Sequence, residues 1–330
     1  MKKPKIVTIG GGSGTFVVLS GLKKYPVTLQ AVVSMMDSGG STGRLRDQLG
    51  VLPPGDMRQA LIALSDSEDI WRSLFTYRFD TGDLGGHNFG NIFLSALEKI
   101  TGSAEESIVH AAKLLKIKGN VIPVTSSKCT LCAKYADGSL LEGETLIDES
   151  LTSRPKILYM YTLPEAVPNP KAIKSILKAD YIVFGPGDLY TSIFPNLLIP
   201  GIVDALKASK AKKVFFVNLM TKLGQTDGFK ASDFVNEMER YAGCMMDYIF
   251  VNNQNPPTDL IEWYKKSSNV DLIEDDLNQS THDKNRIIRA DLLSESKYEQ
   301  SIADRIRRSL IRHDPEKVSK AFIENLNIEL

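Results

Sequence analysis

The chain has 330 residues and 42% of them are hydrophobic, so it can bury a substantial core and is not a disordered sequence. Forty basic residues balance forty acidic ones, and this zero net charge argues against a nucleic-acid or membrane-surface binder. With three cysteines, no recognisable secretory signal and no apolar run of ~18 residues, we expect a cytoplasmic protein that does not span a membrane.

Short apolar runs rich in β-branched and aromatic residues alternate along the chain with segments of helical periodicity. Continuous runs of this kind are typical of strands buried on both faces of a parallel sheet. The predicted strands are residues 6–9, 28–36, 181–184, 213–217 and 248–251. The predicted helices are residues 16–22, 57–64 with Asp56 as N-cap, 91–100, 105–115, 171–178 and one that starts at Ser232 or Asp233. The alternation predicts an α/β fold with a doubly wound, Rossmann-like, mostly parallel sheet.

One stretch, from about residue 121 to residue 162, interrupts this alternation. Residues 129–135 and 139–147 flank the turn Ala136-Asp137-Gly138, which predicts a β-hairpin. We therefore expect a small antiparallel β excursion inside a single nucleotide-binding or nucleotide-sugar-binding domain of residues 1–295. Residues 296–330 are charged and predict a C-terminal helical extension, packed on the outside or used in a homodimer.

Glycine-rich and polar segments follow several predicted strands, where ligands of open α/β sheets bind. Glycine amides approach an anion closely, the next helix N-terminus adds a favourable dipole, and arginine forks suit phosphate. Asn218 and Asn252 would either contact the ligand or only bridge strand ends. The candidate binding residues in these segments are Gly11, Gly12, Ser13, Gly14, Asp37, Gly39, Gly40, Ser41, Thr42, Arg44, Arg46, Gly185, Gly187, Asp188, Tyr190, Thr191, Ser192, Asn218, Thr221 and Asn252.

A further glycine cluster, residues 85–91, precedes a predicted helix and contains His87. His87 either caps that helix or serves as a ligand contact or proton-transfer group, and Asn88 and Asn91 are further candidate contacts. Asp37 stands where a Rossmann protein holds its ribose-binding acid. The catalytic residues are unknown; if the chain transfers a phosphorus-containing group, Asp37 and His87 are the candidates. An NAD-dependent oxidoreductase is a weaker reading, because Val17 replaces the third glycine and no hydride-transfer residue is identifiable.

Taken in order, these motifs resemble one family: the 2-phospho-L-lactate transferases of deazaflavin biosynthesis and their bacterial relatives, the YvcK-like proteins called gluconeogenesis factors. The resemblance covers roughly residues 5–293. Its Gly-Arg-Leu-Arg and Leu-Pro-Pro-Gly-Asp segments are similar to the bacterial branch. The motifs are Gly10-Gly-Gly-Ser-Gly14, Asp37-Ser-Gly-Gly-Ser-Thr-Gly-Arg-Leu-Arg46, Leu52-Pro-Pro-Gly-Asp-Met-Arg58, Gly86-His-Asn-Phe-Gly-Asn91, Gly143-Glu144, Gly185-Pro-Gly-Asp-Leu-Tyr-Thr-Ser192, Pro195-Asn-Leu-Leu198 and Asn218-Leu-Met-Thr221.

The resemblance implies a nucleotide-sugar ligand such as UDP-N-acetylglucosamine and a regulatory role in carbon metabolism, cell-wall precursor supply and cell shape. The alternative that it implies is a transferase that moves a phospho-acyl group from a nucleoside diphosphate donor to a deazaflavin. Tyr264 and Arg289 are further candidate contacts, because a base needs a stacking surface and a phosphate needs a cation. The family usually has two consecutive aspartates where this chain has Asp37-Ser38, which weakens the case for a bound magnesium ion.

Overall fold

The computed structural model describes residues 3–268, 270–279, 282–295 and 310–328 as an α/β fold with two sheets. The strands are β1 (Lys5–Gly10), β2 (Thr28–Val33), β3 (Asn120–Pro123), β4 (Thr130–Tyr135), β5 (Leu140–Glu142), β6 (Ile157–Leu163), β7 (Tyr181–Phe184), β8 (Lys212–Phe216), β9 (Tyr248–Asn252) and β10 (Ile287–Ala290). The helices are α1 (Gly12–Leu22), α2 (Gly40–Leu49), α3 (Gly55–Leu64), α4 (Asp69–Thr76), α5 (Phe89–Thr101), α6 (Ala104–Leu114), α7 (Glu144–Asp148), α8 (Pro170–Leu177), α9 (Phe194–Leu197), α10 (Ile202–Ala208), α11 (Ala231–Ala242), α12 (Thr258–Ser268) and α13 (Pro315–Asn325).

The main sheet has the order β10-β9-β8-β7-β1-β2-β3, and every pairing in it is parallel. From β1 the chain builds outward through β2 and β3, returns to the other side of β1 at β7, and then builds outward to β10. The order therefore reverses between β1 and β7, which is the topological switch point where such sheets bind ligands. The predicted doubly wound parallel fold is confirmed.

A hydrophobic core covers each face of the main sheet, because successive side chains of a strand point to opposite faces. Val7 and Ile9 pack into one cluster with α8 to α11, whereas Ile6 packs into the other with α1, α3 and α13. Burial on both faces explains why these strands read as continuous apolar runs rather than as alternating ones.

Three local predictions differ from the structure. The antiparallel excursion begins at β4 rather than at residue 121, because β3 pairs in parallel with β2 in the main sheet. The second hairpin strand ends at Glu142, where Gly143 with φ of +108° leads into α7. Residues 41–46 lie in helix α2 rather than in a loop, since the Arg44-Leu45-Arg46 segment favours helix once Gly39 has started it.

The C-terminal helix α13 packs against α1 of the same chain, so its apolar face is used within the fold. Val318 and Phe322 are buried there, and Gly21 lies so close to the Pro315 carbonyl oxygen that an added Cβ would be 2.1 Å from it. Residues 296–309 and 329–330 of the predicted C-terminal extension lie outside the described residues.

No single helix in the described part of the chain is both long and apolar enough to cross a membrane. One bent pair, residues 189–197 with residues 202–208, passes by length and composition, and its members include the buried core residues Phe194 and Leu206.

Candidate functional site

The loops that follow β1 and β7 touch at the switch point. A Cβ added to Gly14 would lie 1.6 Å from the Pro186 carbonyl oxygen, so the two backbones are in direct contact. The Gly187 amide donates a hydrogen bond of 3.3 Å to the Asn218 Oδ1 atom, which attaches the loop after β8 as well. Three of the predicted polar loops therefore meet at one edge of the sheet.

The N-termini of α1 and α2 also lie close together, and each holds a carboxylate of the protein. The Gly12 amide donates to Asp56 Oδ1 at 2.7 Å, and the Gly39 amide donates to Asp37 Oδ1 at 2.9 Å. The two carboxylates are neighbours, because a Cβ added to Gly55 would lie 2.2 Å from Asp37 Oδ2. Asp56 is therefore not the N-cap of α3, a position that Pro54 occupies.

Open space remains beside both helix N-termini. A Cβ added to Gly40 would meet no atom within 4 Å, and one added to Gly12 would meet only the Ser192 hydroxyl oxygen at 3.7 Å. Both glycines have positive φ, +44° and +62° respectively. The backbone at these positions is accessible to a ligand, and any other residue would be strained there.

Five acids from four segments converge behind these N-termini, and we call them the carboxylate cluster. Burial is the largest cause that raises the pKa of four of them: Asp37, Asp56, Glu144 and Asp188. The nearby Asp37 charge raises the pKa of Asp56 further, to about 7. The members of the carboxylate cluster are Asp37, Asp56, Glu144, Asp148 and Asp188.

The raised pKa of Asp56 predicts a pH dependence of stability. Between its ordinary pKa of 3.8 and about 7, Asp56 ionises in the unfolded chain but stays protonated in the folded one. The free energy of unfolding should therefore fall as the pH rises through this range and level off above it, by an amount on the order of a few kcal/mol. Urea unfolding at several pH values should show a smaller fall for Asp56→Asn, and an unchanged slope would contradict the assignment.

Helix α7 of the antiparallel excursion closes one side of the site. The Ser38 amide donates to Glu144 Oε2 at 3.2 Å, and the Thr145 amide donates to Ser38 Oγ at 2.9 Å. Ser38, which follows β2, thus joins the main sheet to the excursion. The Ser38 hydroxyl is occupied by this contact.

A second set of contacts ties α7 to the loops after β7 and β8. Lys222 donates to Asp148 at 3.0 Å and to Asp188 at 3.2 Å, and Thr191 donates to Asp148 at 2.8 Å. Burial alone would lower the pKa of Lys222, but the carboxylates of Asp188 and Asp148 raise it above its usual value. Lys222 is therefore a fixed cation inside the carboxylate cluster.

Arg58 supplies a second, buried cation. Its Nε donates to Asn91 Oδ1 at 2.7 Å, and the Asn91 amide donates to the Thr42 hydroxyl at 3.3 Å. The Arg58 charge attracts Asp37 and Asp56, and it offsets part of the burial effect on their pKa values. Asn91 and Thr42, both predicted ligand contacts, are thus parts of the support beneath the two carboxylates.

His87 lies beside this support. Its Nδ1 is 3.2 Å from the Ser41 hydroxyl oxygen, which also accepts the Asn88 amide at 3.1 Å. Asn88 rather than His87 caps α5, since its side chain accepts the Asn91 amide. Burial, followed by nearby arginines, lowers the pKa of His87 and favours the neutral ring.

Of the two predicted arginines in the second glycine segment, Arg44 stands at the rim of the site. Arg44 is exposed, and its guanidinium donates to the Gly85 carbonyl at 2.9 Å. Arg46 instead pairs with Asp47 at 2.8 Å on the protein surface. Arg44 is the exposed predicted cation that could turn toward a ligand from this side.

Several of the predicted contact residues have hydrogen-bond partners within the protein. Tyr190 is fully buried and its hydroxyl donates to Glu237, while Thr221 exchanges hydrogen bonds with the Asp271 backbone. Asn252 accepts the Leu292 amide at 3.1 Å and donates to the Gln254 carbonyl, the strand-bridging role considered as its alternative.

Tyr264 and Arg289 also lie away from the helix N-termini. Tyr264 is buried in a separate small cluster and its hydroxyl accepts the Leu310 amide. Arg289 lies on β10, four strand positions or about 19 Å from β1. It makes a two-pronged ion pair with Asp275.

A metal ion does not fit the residues at this position. Ser38 replaces the second carboxylate of the family pattern and is bonded to Thr145. In the described residues no group of three His, Cys, Asp or Glu side chains is arranged to hold a metal ion. Cys129 and Cys132 are free thiols in this part of the chain, and Cys132 is buried.

Comparison with known proteins shows the family to which this chain is similar. The family model described as 2-phospho-L-lactate transferase CofD matches residues 6–293. The gluconeogenesis factors of Listeria monocytogenes and Bacillus subtilis are 39% and 37% identical to the chain; each match covers 98% of it and respectively 96% and 99% of the relative. A crystal structure of a UPF0052 family protein from Bacillus halodurans superposes with a TM-score of 0.88 at 36% identity, over 98% of this chain and 99% of the other.

Proposed function

Because the chain belongs to the CofD family and resembles gluconeogenesis factors along its whole length, we propose that it binds a nucleotide sugar such as UDP-N-acetylglucosamine. As a cytoplasmic regulator it would link the level of that ligand to carbon metabolism, cell-wall precursor supply and cell shape. The observation that carries the proposal is the pair of helix N-termini, α1 and α2, beside open space at the switch point.

The diphosphate of such a ligand would lie against the accessible backbone of Gly12 and Gly40. The amides of Gly12 and Gly39 already hold carboxylate oxygens, so these positions favour negative charge. The loop of residues 185–192 forms the facing wall, since it contacts Gly14. The sugar or base would extend toward Asn218, which anchors that wall.

The ionised members of the carboxylate cluster would repel an anionic ligand, so cations at the rim of the site should contribute to ligand affinity. Arg44 is exposed, adjoins the open side of α2 and is held only by one neutral carbonyl acceptor among the contacts of the described residues. A guanidinium fork suits phosphate oxygens, and a charge-assisted hydrogen bond contributes more than a neutral one.

We expect Arg44→Ala to weaken UDP-N-acetylglucosamine binding by about 10- to 150-fold, which corresponds to ~1.5–3 kcal/mol. Isothermal titration should measure this, with Arg72→Ala as the control because Arg72 pairs with Asp69 on the surface of α4. Unchanged affinity would remove Arg44 from the site. Neither heat nor a thermal shift with the wild-type protein would count against the ligand itself.

The transferase alternative has one specific support. Asp37, with its raised pKa, and the neutral His87 both contact the N-terminal end of α2, where they could accept or hold a proton during phosphoryl transfer. A turnover assay with a nucleoside diphosphate donor and a deazaflavin acceptor separates the two functions. Donor binding without product favours the regulator.

A further inference from the structure

One face of the antiparallel sheet carries exposed leucine and tyrosine side chains among the described residues, although Cys132 near its centre is itself buried. Its strand order is β5-β4-β6, so β4 lies in the middle. Alternate residues of a strand share a face, and the register therefore defines two rows of side chains across the sheet. The first row is Leu140, Lys134 and Tyr159, and the second is Glu142, Cys132 and Tyr161.

These two rows, together with the neighbouring pair Thr130 and Leu163, form what we call the outer sheet face. Leu140, Tyr159 and Leu163 are 51%, 52% and 54% exposed. The opposite face of β4 is fully buried in the core through Leu131 and Ala133. An exposed face that is rich in aromatic and aliphatic side chains and poor in charge has the composition of a protein interface.

The outer sheet face carries one positive and one negative side chain, and neither makes an ion pair among the described residues. Glu142 is exposed and makes no ion pair among the described residues. The Lys134 ammonium donates to the Gly138 carbonyl at 2.5 Å and keeps two further donors. One positive and one negative group therefore stand in adjacent rows.

We propose that the outer sheet face docks against the same face of a second copy of this chain. The two-fold axis lies in the plane between the two sheets, perpendicular to the strands and midway between the two rows. This axis sets the first row of one copy against the second row of the other copy. Tyr159 then faces Tyr161 of the second copy, and Lys134 comes beside its Glu142. Two sheets packed in this way lie ~10 Å apart, a gap that these side chains fill.

This symmetry is the reason to favour a second copy over another partner. In a two-fold dimer the same surface of both copies forms the interface, so that surface must be complementary to itself. The axis that stacks the tyrosines also brings Lys134 of each copy beside Glu142 of the other, which meets this condition. The C-terminal helix that the sequence suggested for dimerisation is already packed on α1. The small size of the face predicts a weak, concentration-dependent dimer.

Sedimentation velocity of the full chain, without ligand, tests this proposal. The mass should rise from 36.5 kDa toward twice that value as the concentration increases to about 100 µM, as expected of a small interface. Tyr159→Glu should keep the protein monomeric throughout. Ile70→Glu, a change of the same kind on α4 at a site 67% exposed, should leave the association intact.

A charge reversal tests the axis itself and does not depend on whether Tyr159→Glu folds. Glu142→Lys and Lys134→Glu should each weaken the dimer about tenfold or more, and the double variant should restore it. A zero-length carboxyl-to-amine crosslinker should join the Lys134 and Glu142 peptides between isotope-labelled and unlabelled copies. A wild-type monomer at every concentration, a dimer that survives Tyr159→Glu, or no recovery in the double variant would overturn the proposal.

Discussion

Gly14→Ala is expected to lower the free energy of unfolding by about 3 kcal/mol and to abolish nucleotide-sugar binding. The new methyl group would lie 1.6 Å from the Pro186 carbonyl oxygen, and backbone cannot rotate away as a side chain can. The loops after β1 and β7 would have to separate, which opens the switch point. Urea unfolding followed by tryptophan fluorescence, together with isothermal titration, measures both effects.

Gly102→Ala is the matched control, because Gly102 has φ of +71° and an added Cβ there meets no atom within 4 Å. It should cost only the ~1–2 kcal/mol of a left-handed alanine and leave binding unchanged. The loss of stability for Gly12→Val should lie between those of Gly14→Ala and Gly102→Ala. The space beside Gly12 admits a side chain, so the loss comes from the φ of +62°. Wild-type stability of Gly14→Ala would mean that the two loops do not touch.

Arg58→Met should destabilise the protein by about 3–5 kcal/mol, the usual cost of removing one partner from a buried charge network. The methionine keeps most of the volume but leaves Asn91 Oδ1 without its 2.7 Å donor and leaves Asp37 and Asp56 without their nearby positive charge. Because both acids would then ionise less readily, the loss should be smaller below pH 6 than at pH 8. Urea unfolding at the two pH values measures it.

Arg72→Met is the control for losing an arginine, since the half-buried Arg72 pairs with the exposed Asp69 at 3.7 Å and should change stability by less than about 1 kcal/mol. Combining Arg58→Met with Asp37→Asn should recover part of the lost stability, because Asp37→Asn removes a buried carboxylate that has lost its nearby positive charge. Purely additive losses at both pH values would show that Arg58 acts by packing alone.

The strands and most helices could be predicted because their signals are local. Residues 181–184 were predicted as a strand with the bounds that β7 has, and residues 171–178 differ from α8 by one position at each end. Predictions failed where glycine obscured the pattern. The glycines that open α2 made a helix resemble a loop, and the short segment after Gly143 was too brief for helical periodicity to emerge.

The sequence predicted where the candidate site lies on the sheet, which stays a prediction, but not the residues that support it. Glycine segments after strands located the two helix N-termini, and the family motifs contained Asp56, Arg58 and Glu144 without indicating their roles. Asp148 and Lys222 carried no signal, because an aspartate on a short helix and a lysine in a loop are ordinary surface residues in a sequence. Asp148 and Lys222 meet only because α7 of the antiparallel excursion packs over the edge of the main sheet.

The amino-acid order by itself therefore determined the parallel sheet, the glycine segments at its carboxyl edge and the family, since each depends on residues close together in the chain. The tertiary structure alone decided which polar groups support the site and which face it. Thr42, Asn91 and Tyr190 look like ligand contacts in the sequence, yet their partners are protein atoms. A side chain's partner depends on long-range packing, and burial then sets its hydrogen bonds and its charge, neither of which residue type reveals.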